Sequence, residues 1–307
     1  MSDTNYDVII IGGSYAGLSA ALQLGRARQK VLIIDEGLRR NRFASHSHGF
    51  ITQDHADPAE IAAEARSQVM EYKTMEWVSG RADTARRNIE VDSGETSFVV
   101  GVRGVRYHSR RLILALGVRD ILPDIEGLKE RWGKSVFHCP YCHGYELNQG
   151  KVGVIAGSAL SMHHALMLPD WGPTTLLLNQ AFEPDTEQLQ SLAARGVVVE
   201  RSPVKALSDH ADVQLVDGRT VSFSGLFALA PFEVSTLIVQ QLGLDMEQGP
   251  LGATIKTDAM KETSLPGVFA CGDAARPMAS VALAVGDGSL AGVGAHRSLM
   301  FGTIHHE

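Results

Sequence analysis

Two cysteines separated by two residues stand in the most reactive stretch of this sequence, His138-Cys139-Pro140-Tyr141-Cys142-His143. Two thiols at this spacing can close a small disulfide, and a neighbouring cationic group can lower the pKa of a thiol. A histidine beside the pair can accept and return protons near neutral pH. The stretch therefore predicts a redox-active pair, with Cys139, Cys142 and His143 as the catalytic residues.

A zinc site and a pair of structural cysteines are the alternatives for this stretch. Zinc binds cysteine and histidine, but His138 and His143 directly flank the cysteines and do not form a separate pair at zinc-finger spacing. No second C-x-x-C exists, because the third cysteine, Cys271, stands alone. We therefore favour redox chemistry, predict no metal site, and interpret Cys271 as a small buried residue.

A nucleotide-binding turn is predicted near the N-terminus. The apolar run 7–11 indicates a buried parallel strand, and residues 18–28 have helical apolar spacing. Between them Gly12 and Gly17 hold the first and third glycine places of a dinucleotide fingerprint, while Ser14 holds the second. The next strand, 31–34, ends at Asp35, an acid that can bind a ribose hydroxyl. This order of elements predicts a dinucleotide whose phosphates face the N-terminus of the helix.

A second unit of the same kind begins at Lys151. Residues 152–157 predict a strand and a turn, 161–168 a helix, and 174–178 a strand. Two similar units agree with the length of 307 residues, which favours two domains. Outside these units, the pattern predicts a strand at 111–116, closed by Gly117, and a late strand within 264–273, followed by a helix from about Ser280.

Composition and charge exclude several classes of protein. Hydrophobic residues make up 44% and charged residues 21% of the chain, as in ordinary globular proteins. The net charge of −7 argues against a nucleic-acid partner, and no apolar run approaches the roughly 20 residues that span a bilayer. The polar, acidic start is not typical of a signal peptide, so we expect a cytoplasmic protein that binds neither nucleic acid nor membrane. The 31 glycines predict tight turns or close backbone approaches.

These motifs resemble those of low-molecular-weight thioredoxin reductases, which are two-domain flavoproteins, over nearly the whole chain. The resemblance rests on the N-terminal turn, on Ala115-Leu116-Gly117, on the C-x-x-C ahead of the second unit, and on Gly267-Val268-Phe269-Ala270-Cys271-Gly272-Asp273. It implies an α/β fold of two Rossmann-like, three-layer ββα nucleotide-binding domains, the central one inserted into the FAD domain. The implied FAD domain comprises residues 1–118 and 248–307. The implied central domain, 119–247, carries the redox disulfide and a degenerate NAD(P)-type site. The resemblance also implies a homodimer.

In such a fold the N-terminal site holds FAD. The fingerprint and the resemblance together assign the following residues to FAD: Gly12, Gly13, Ser14, Ala16, Gly17, Asp35, Asn41, Gly117, Gly272, Asp273, Ser280 and Val281. The resemblance places Asp273 near the ribityl chain or pyrophosphate, and it points the N-terminus of the late helix at the flavin ring. By the same analogy Cys139 meets the substrate and Cys142 faces the flavin.

Two features depart from thioredoxin reductases. His143 stands where that family usually carries an aspartate as its acid–base group, and histidine can do the same proton transfer.

In the second unit Ala156, Ser158 and Ser161 hold the three glycine places, and Asn179-Gln180 stands where a His-Arg-Arg cluster binds the NADPH 2′-phosphate in that family. No arginine is near for a phosphate and no acid closes that strand, so the sequence predicts a degenerate site that has lost both the close backbone approach and the charge.

The motif C-x-x-C-His-Gly-Tyr-Glu, followed by a degenerate nicotinamide site, resembles the pattern of the dithiol oxidases of the gliotoxin and holomycin type. Those enzymes close disulfides in small natural products. Residues 40–50 are similar to that branch too, and Asn41 and His48 are candidate neighbours of the flavin. We interpret His163-His164, a poor metal pair on the predicted helix, as packing or surface residues. We therefore predict an FAD-dependent thiol/disulfide oxidoreductase. It oxidises a small-molecule dithiol or a thioredoxin-like protein without NADPH and passes the electrons to oxygen.

Three alternatives stay open. An NADPH-dependent thioredoxin reductase could tolerate the small side chains at the second turn, although a 2′-phosphate favours a charge-assisted partner. A reductase could instead take electrons from a reduced protein such as a ferredoxin. A flavin-bound redox sensor without substrate turnover is the alternative of another class.

Overall fold

The computed structural model describes residues 5–89 and 96–302, and in both predicted nucleotide-binding units strands alternate with helices. Residues 1–4, part of the polar start on which the absence of a signal peptide is predicted, lie outside the described residues. The strands are β1 (Asn5–Ile11), β2 (Val31–Asp35), β3 (Met75–Ser79), β4 (Thr84–Ile89), β5 (Thr96–Val102), β6 (Val105–Leu114), β7 (Arg119–Asp120), β8 (Val136–Phe137), β9 (Val152–Ile155), β10 (Thr174–Leu177), β11 (Val198–Glu200), β12 (Val204–Ser208), β13 (Asp212–Leu215), β14 (Thr220–Ser222), β15 (Gly225–Ala228), β16 (Phe232–Glu233), β17 (Met246–Gln248), β18 (Ala253–Ile255) and β19 (Val268–Ala270). The α-helices are α1 (Tyr15–Arg26), α2 (Pro58–Met70), α3 (Leu128–Arg131), α4 (Pro140–His143), α5 (Ser161–Met167), α6 (Thr186–Ala194), α7 (Thr236–Leu242) and α8 (Val281–Phe301).

The first unit is built on a sheet in the order β3-β2-β1-β6-β5-β4, with β19 paired to β6. Strand β1 runs parallel to β2 on one side and to β6 on the other, so Val8, Ile9 and Ile10 are completely buried. This burial explains why the strand is a continuous apolar run and does not alternate between apolar and polar residues. Strands β4 and β5 add an antiparallel extension next to β6.

The second unit is built on a fully parallel sheet in the order β11-β10-β9-β15-β8. A separate antiparallel sheet, β12-β13-β14, follows in the same unit. The chain leaves the first unit after Arg119 and returns to it at Phe232. One Rossmann-like unit is therefore inserted into the other, which confirms the predicted fold class.

The compact units divide the chain at positions that differ in part from the predicted domain bounds. The segment Phe43–Pro58 groups with the second unit, and everything from Phe232 onward groups with the first. The predicted domain boundary at 118–119 lies next to the observed one at 119–120. The predicted boundary at 247–248 lies after the observed one, which is at 231–232. The second boundary differs because α7 belongs to the first unit, where its residues Ile238 and Leu242 are buried in the core.

Among residues 5–89 and 96–302, no helix is both long enough and apolar enough to cross a bilayer.

Close helix packing accounts for part of the high glycine content. Helices α1 and α8 cross so tightly that a Cβ on Gly288 would lie 2.0 Å from the carbonyl oxygen of Ala16. Two residues earlier, Gly286 is exposed, and a Cβ there would meet no heavy atom within 4 Å. The two glycines share one helix but differ in burial and in what an added Cβ would meet.

We expect Gly288→Ala to destabilise the protein by about 2–3 kcal/mol, because the two helices must move apart. The matched change Gly286→Ala is expected to stabilise it by up to about 1 kcal/mol, because alanine favours a helix interior. The midpoint of thermal unfolding of the two FAD-loaded variants measures both effects. Equal midpoints would contradict the tight crossing.

Candidate active site and cofactor site

The turn between β1 and α1 has the close packing that a dinucleotide fingerprint requires. Gly12 directly follows β1 and has a φ of +105°, a conformation that other residues rarely adopt. A Cβ on Gly17 would lie 1.8 Å from the carbonyl oxygen of Gly12, so only glycine lets α1 begin this close to the turn. Ser14 is the N-cap of α1, and its side chain makes no capping hydrogen bond. The N-terminus of α1 is therefore not capped by the Ser14 side chain, and a helix N-terminus of this kind can face a phosphate.

Asp35 closes β2 and holds the glycine turn in place. Its Oδ1 accepts a hydrogen bond from the amide of Gly13 at 2.9 Å, and its Oδ2 accepts one from the amide of Gly37 at 3.1 Å. Each carboxylate oxygen has a further acceptor position. Asp35 can thus brace the turn and still accept a hydrogen bond from a ribose hydroxyl.

A cleft of about 440 Å³ opens beside Asp35 in the first unit. Its lining includes Gly13, Asp35, Arg39, Arg66, Met70 and Trp77. The guanidinium of Arg66 lies 4.0 Å from the centre of the Trp77 ring. The cleft thus joins an aromatic wall, cations and the glycine turn.

Two buried polar atoms near this turn have no hydrogen-bond partner among the described residues. They are Nε of Arg39, a donor, and Oδ1 of Asn41, an acceptor. The other amide atom of Asn41, Nδ2, donates to the hydroxyl of Tyr15 at 3.1 Å. Since buried polar atoms nearly always have a hydrogen-bond partner, these two indicate that a polar ligand binds here. Together with the turn, the cleft and Asp35, they fit FAD.

The remaining residues assigned to FAD stand at strand and helix ends of the same unit. Gly117 follows β6 with a φ of +61°, and Gly272 follows β19 with a φ of +69°. Strands β1, β6 and β19 are parallel, so these ends lie at the same edge of the sheet as Gly12. Ser280 is the N-cap of α8, where its Oγ accepts from the amide of Leu283 at 3.1 Å, and Val281 is the first residue of the helix.

Three more residues sit close to these strand and helix ends. Ala16 is buried in α1, and a Cβ on Gly272 would lie 2.9 Å from its methyl group. Asp273 pairs with Arg40 at 3.0 Å. The partner Arg40 was missed by sequence reasoning, because nothing in the pattern around it identifies a residue more than two hundred positions away as its counterion.

Cys271 is completely buried and free. Burial, and secondarily the carboxylate of Asp287, raises the pKa of its thiol to about 12. The thiol therefore stays protonated and unreactive near neutral pH. This environment confirms its interpretation as a buried filler.

The two remaining cysteines form a disulfide. Cys139 precedes α4 and Cys142 lies within it, with their Cα atoms 5.3 Å apart. Both residues are half-buried, while Tyr141 between them is exposed. One turn of helix therefore holds the two sulfur atoms together in the second unit.

His143 ends α4 directly after the cysteine pair. Its ring stacks on Phe137, with ring centres 4.4 Å apart and planes inclined by 22°. Burial, and secondarily the neighbouring His48, lowers the pKa of His143 to about 4. The imidazole is thus neutral near pH 7 and can accept a proton from a thiol.

A cluster of histidines around His143 was not expected from the sequence. His48, a candidate neighbour of the flavin, belongs to the second unit, and its ring lies 6.2 Å from that of His143. His55 and Glu146 join it there. His48 and His55 lie about ninety residues before His143 and Glu146 in the chain, so only the fold brings the two pairs together.

The His163-His164 pair on α5 divides between surface and core. His163 is exposed, whereas His164 is buried with its ring 6.2 Å from that of Phe227. Burial, and secondarily His138 and His163, lowers the pKa of His164 to about 4. Both positions agree with packing and surface roles.

In the second nucleotide turn, after β9, serine side chains of the turn accept hydrogen bonds from its backbone amides. The amide of Gly157 donates to Oγ of Ser161 at 3.2 Å, and the amide of Leu160 donates to Oγ of Ser158 at 3.3 Å. Ala156 is buried at the start of the turn. Two of the predicted serines thus bond amides of the turn, and such amides hold a pyrophosphate in a working dinucleotide site.

The position for a 2′-phosphate, after β10, is also occupied by internal contacts. Asn179 and Gln180 adopt left-handed conformations, and Oδ1 of Asn179 accepts from the amide of Val204 at 3.0 Å. The fold brings Arg201 and Arg219 close to this strand end, because Glu200, which precedes Arg201 and contacts Arg219, pairs with Leu177 of β10. This pairing corrects the expectation that no arginine is near.

Both arginines are paired with carboxylates. Arg201 contacts Glu183 at 2.6 Å, and Arg219 contacts Glu200 at 2.8 Å and Asp217 at 2.5 Å. Their hydrogen bonds to Arg219 hold the pKa values of Glu200 and Asp217 below the usual range. The charge of each arginine is therefore already compensated.

Known proteins share this arrangement over nearly the whole chain. Residues 6–288 match the model of the pyridine nucleotide-disulphide oxidoreductase family. A solved oxidoreductase from Agrobacterium tumefaciens is 57% identical, covering 97% of this chain and 99% of its own, with a TM-score of 0.93. The solved structure of HlmI is 35% identical over 98% of this chain and 94% of its own, with a TM-score of 0.89. The thioredoxin reductase tcpT of Claviceps purpurea is 34% identical over 98% of this chain and 96% of its own.

The glycine turn, the inserted second unit and the disulfide of α4 agree with these similarities and confirm the resemblance to thioredoxin reductases. The chain therefore belongs to the pyridine nucleotide-disulphide oxidoreductase family, as a thioredoxin reductase-like, FAD-dependent disulfide oxidoreductase.

Proposed function

We propose that this enzyme oxidises a dithiol to a disulfide through Cys139 and Cys142, without NADPH, and that oxygen receives the electrons. The observation that carries the proposal is the state of the second nucleotide turn. Its amides are bonded to Ser158 and Ser161, and the two arginines near the end of β10 are bonded to carboxylates. Electrons then have to enter through the cysteine pair.

The cysteine pair exchanges two electrons with the substrate. A substrate thiolate attacks Sγ of Cys139, the Cys139–Cys142 bond breaks, and Cys142 leaves as a thiolate. The second substrate thiol attacks the mixed disulfide and releases Cys139, so the substrate is oxidised and the enzyme pair is reduced. His143 takes a proton from the incoming thiol, because it directly follows the cysteine pair and its imidazole is neutral near pH 7.

The first unit would hold FAD with the residues described above. The amides after Gly12 would face the pyrophosphate, Asp35 a ribose, and the free Oδ1 of Asn41 a polar group of the cofactor. Bound FAD supplies a two-electron relay to oxygen, so that one dithiol and one O₂ give one disulfide and one hydrogen peroxide.

An exposed aromatic surface beside the disulfide favours a small substrate with an apolar body. Tyr141 is 74% exposed and Tyr145 is 81% exposed. The ring of Tyr141 stands perpendicular to that of Trp171, with centres 5.4 Å apart. Contact with apolar surface is favourable for exposed aromatic rings, and a small-molecule dithiol with an apolar body offers more of that contact than a polar protein loop does.

A homodimer and a cytoplasmic location stay predictions. Helix α8 supports the first, because it exposes Leu290, Val293, Met300 and Phe301. Apolar residues on one helix in this number favour burial against a second surface.

The test follows the visible flavin absorbance without oxygen, first with NADPH and then with dithiothreitol. We expect no bleaching by NADPH, rapid bleaching by dithiothreitol, and recovery of colour with peroxide on admitting air. Rapid bleaching by NADPH would instead indicate a reductase that feeds a thioredoxin-like partner. No bleaching by either reagent would favour a ferredoxin-type donor or a sensor.

A further inference from the structure

We propose that His48, His55 and Glu146 form a binding site for a divalent transition-metal ion next to the redox disulfide. One ligand atom from each residue lies within 4.8 Å of the others. Nδ1 of His48 is 3.3 Å from Oε1 of Glu146, and the rings of His48 and His55 stand edge to face with centres 4.8 Å apart. All three residues belong to the second unit.

The backbone holds these ligands in place without an ion. His48 and His55 lie on the segment between β2 and α2, where the amide of His55 donates to the carbonyl of Ser47 at 2.9 Å. The amide of Ser47 in turn donates to the carbonyl of Ala56 at 2.8 Å. Glu146 lies in a short 3₁₀ helix, Tyr145–Leu147, directly after α4. The site therefore joins two separate parts of the chain.

An unpaired buried atom points independently to a ligand. The side chain of His48 is only 10% exposed, yet its Nδ1 makes no hydrogen bond to any described residue. Leaving a buried nitrogen without a hydrogen-bond partner is unfavourable, so the fold favours a ligand that binds it. The nitrogen faces the carboxylate of Glu146, which a metal ion would bridge to it.

The surroundings suit a cation. Asp54 lies beside both histidines, with Oδ2 at 3.2 Å from Nε2 of His55 and Oδ1 at 3.9 Å from Nδ1 of His48. A carboxylate behind a histidine fixes its ring and raises its basicity as a ligand. His55 is 63% exposed, so an ion can enter from solvent.

The ligand types select the metal. Two imidazoles and one carboxylate suit zinc and similar ions, with remaining positions left to water, whereas magnesium and calcium prefer oxygen ligands throughout. The sequence predicts no metal site, and Glu146 lies about ninety residues after the two histidines, so no ligand spacing in the chain indicates this one. Bound metal would tie the segment 43–58 to the residues that follow the cysteine pair, and it would raise thermal stability.

The test is a calorimetric titration of the oxidised, chelator-treated holoenzyme with Zn²⁺. The intact disulfide keeps thiolates from competing for zinc. We expect one strong site per chain and a zinc-dependent rise in the unfolding midpoint. His55→Ala and Glu146→Gln should each weaken this site by at least about tenfold and remove the rise in the midpoint.

His46→Ala is the matched control. The ring of His46 is exposed and lies 6.3 Å from that of His48, but it is not one of the three ligands. This variant should bind zinc as the wild type does, and all variants should retain FAD as a check on folding. Absence of a strong site in the wild type, or equal affinity in the His55 and Glu146 variants, would overturn the proposal.

Discussion

Replacing Cys142 by serine is expected to lower dithiol turnover below about a thousandth of the wild-type rate while FAD stays bound. A serine oxygen cannot form the disulfide that Cys139 and Cys142 make in the native protein. In the proposed reaction the electrons of the substrate pass through this disulfide, so its loss should block flavin reduction. Stopped-flow bleaching of the flavin by dithiothreitol without oxygen measures the loss directly.

Cys271→Ser is the matched control for that experiment. The Cys271 thiol is completely buried and its pKa is raised to about 12, so it takes no part in exchange. This variant should bleach at the wild-type rate. If the Cys142 variant also bleaches at the wild-type rate, the cysteine pair does not carry the reaction.

Local chemistry explains why so much of the fold could be predicted. The turn at Gly12 and Gly17, the strand that ends at Asp35 and the helix that begins after Ser280 each depend on residues adjacent in the chain. Their physical causes are left-handed backbone, close packing and helix capping, and these act over a few residues. The observed β1, α1, β2 and α8 follow these signals closely.

Features that depend on distant partners could not be predicted in this way. The segment Phe43–Pro58 groups with the second unit, and α7 packs in the first, because of contacts made across the fold. The pairing of Arg40 with Asp273 and that of Arg219 with Glu200 likewise join residues with no sequence relation. Opposite charges are too frequent in a chain for their pairing to be read from the sequence.

His143→Asn is expected to lower dithiol turnover by about a hundredfold or more, because asparagine cannot accept a proton. The wild-type imidazole is neutral near pH 7, since burial and the neighbouring His48 lower its pKa to about 4. His143→Asp should restore part of the rate, because a carboxylate can accept the same proton. Steady-state peroxide release with dithiothreitol measures both variants.

A purely structural role for His143 would give a different pattern. Its ring stacks on Phe137, so both substitutions remove the same packing and would then lower the rate equally. His163→Asn makes the same chemical change at an exposed position of α5 and should leave the rate unchanged. A higher rate in the His143→Asp variant than in the His143→Asn variant, at equal FAD content and equal thermal midpoint, therefore assigns proton transfer to the side chain at position 143.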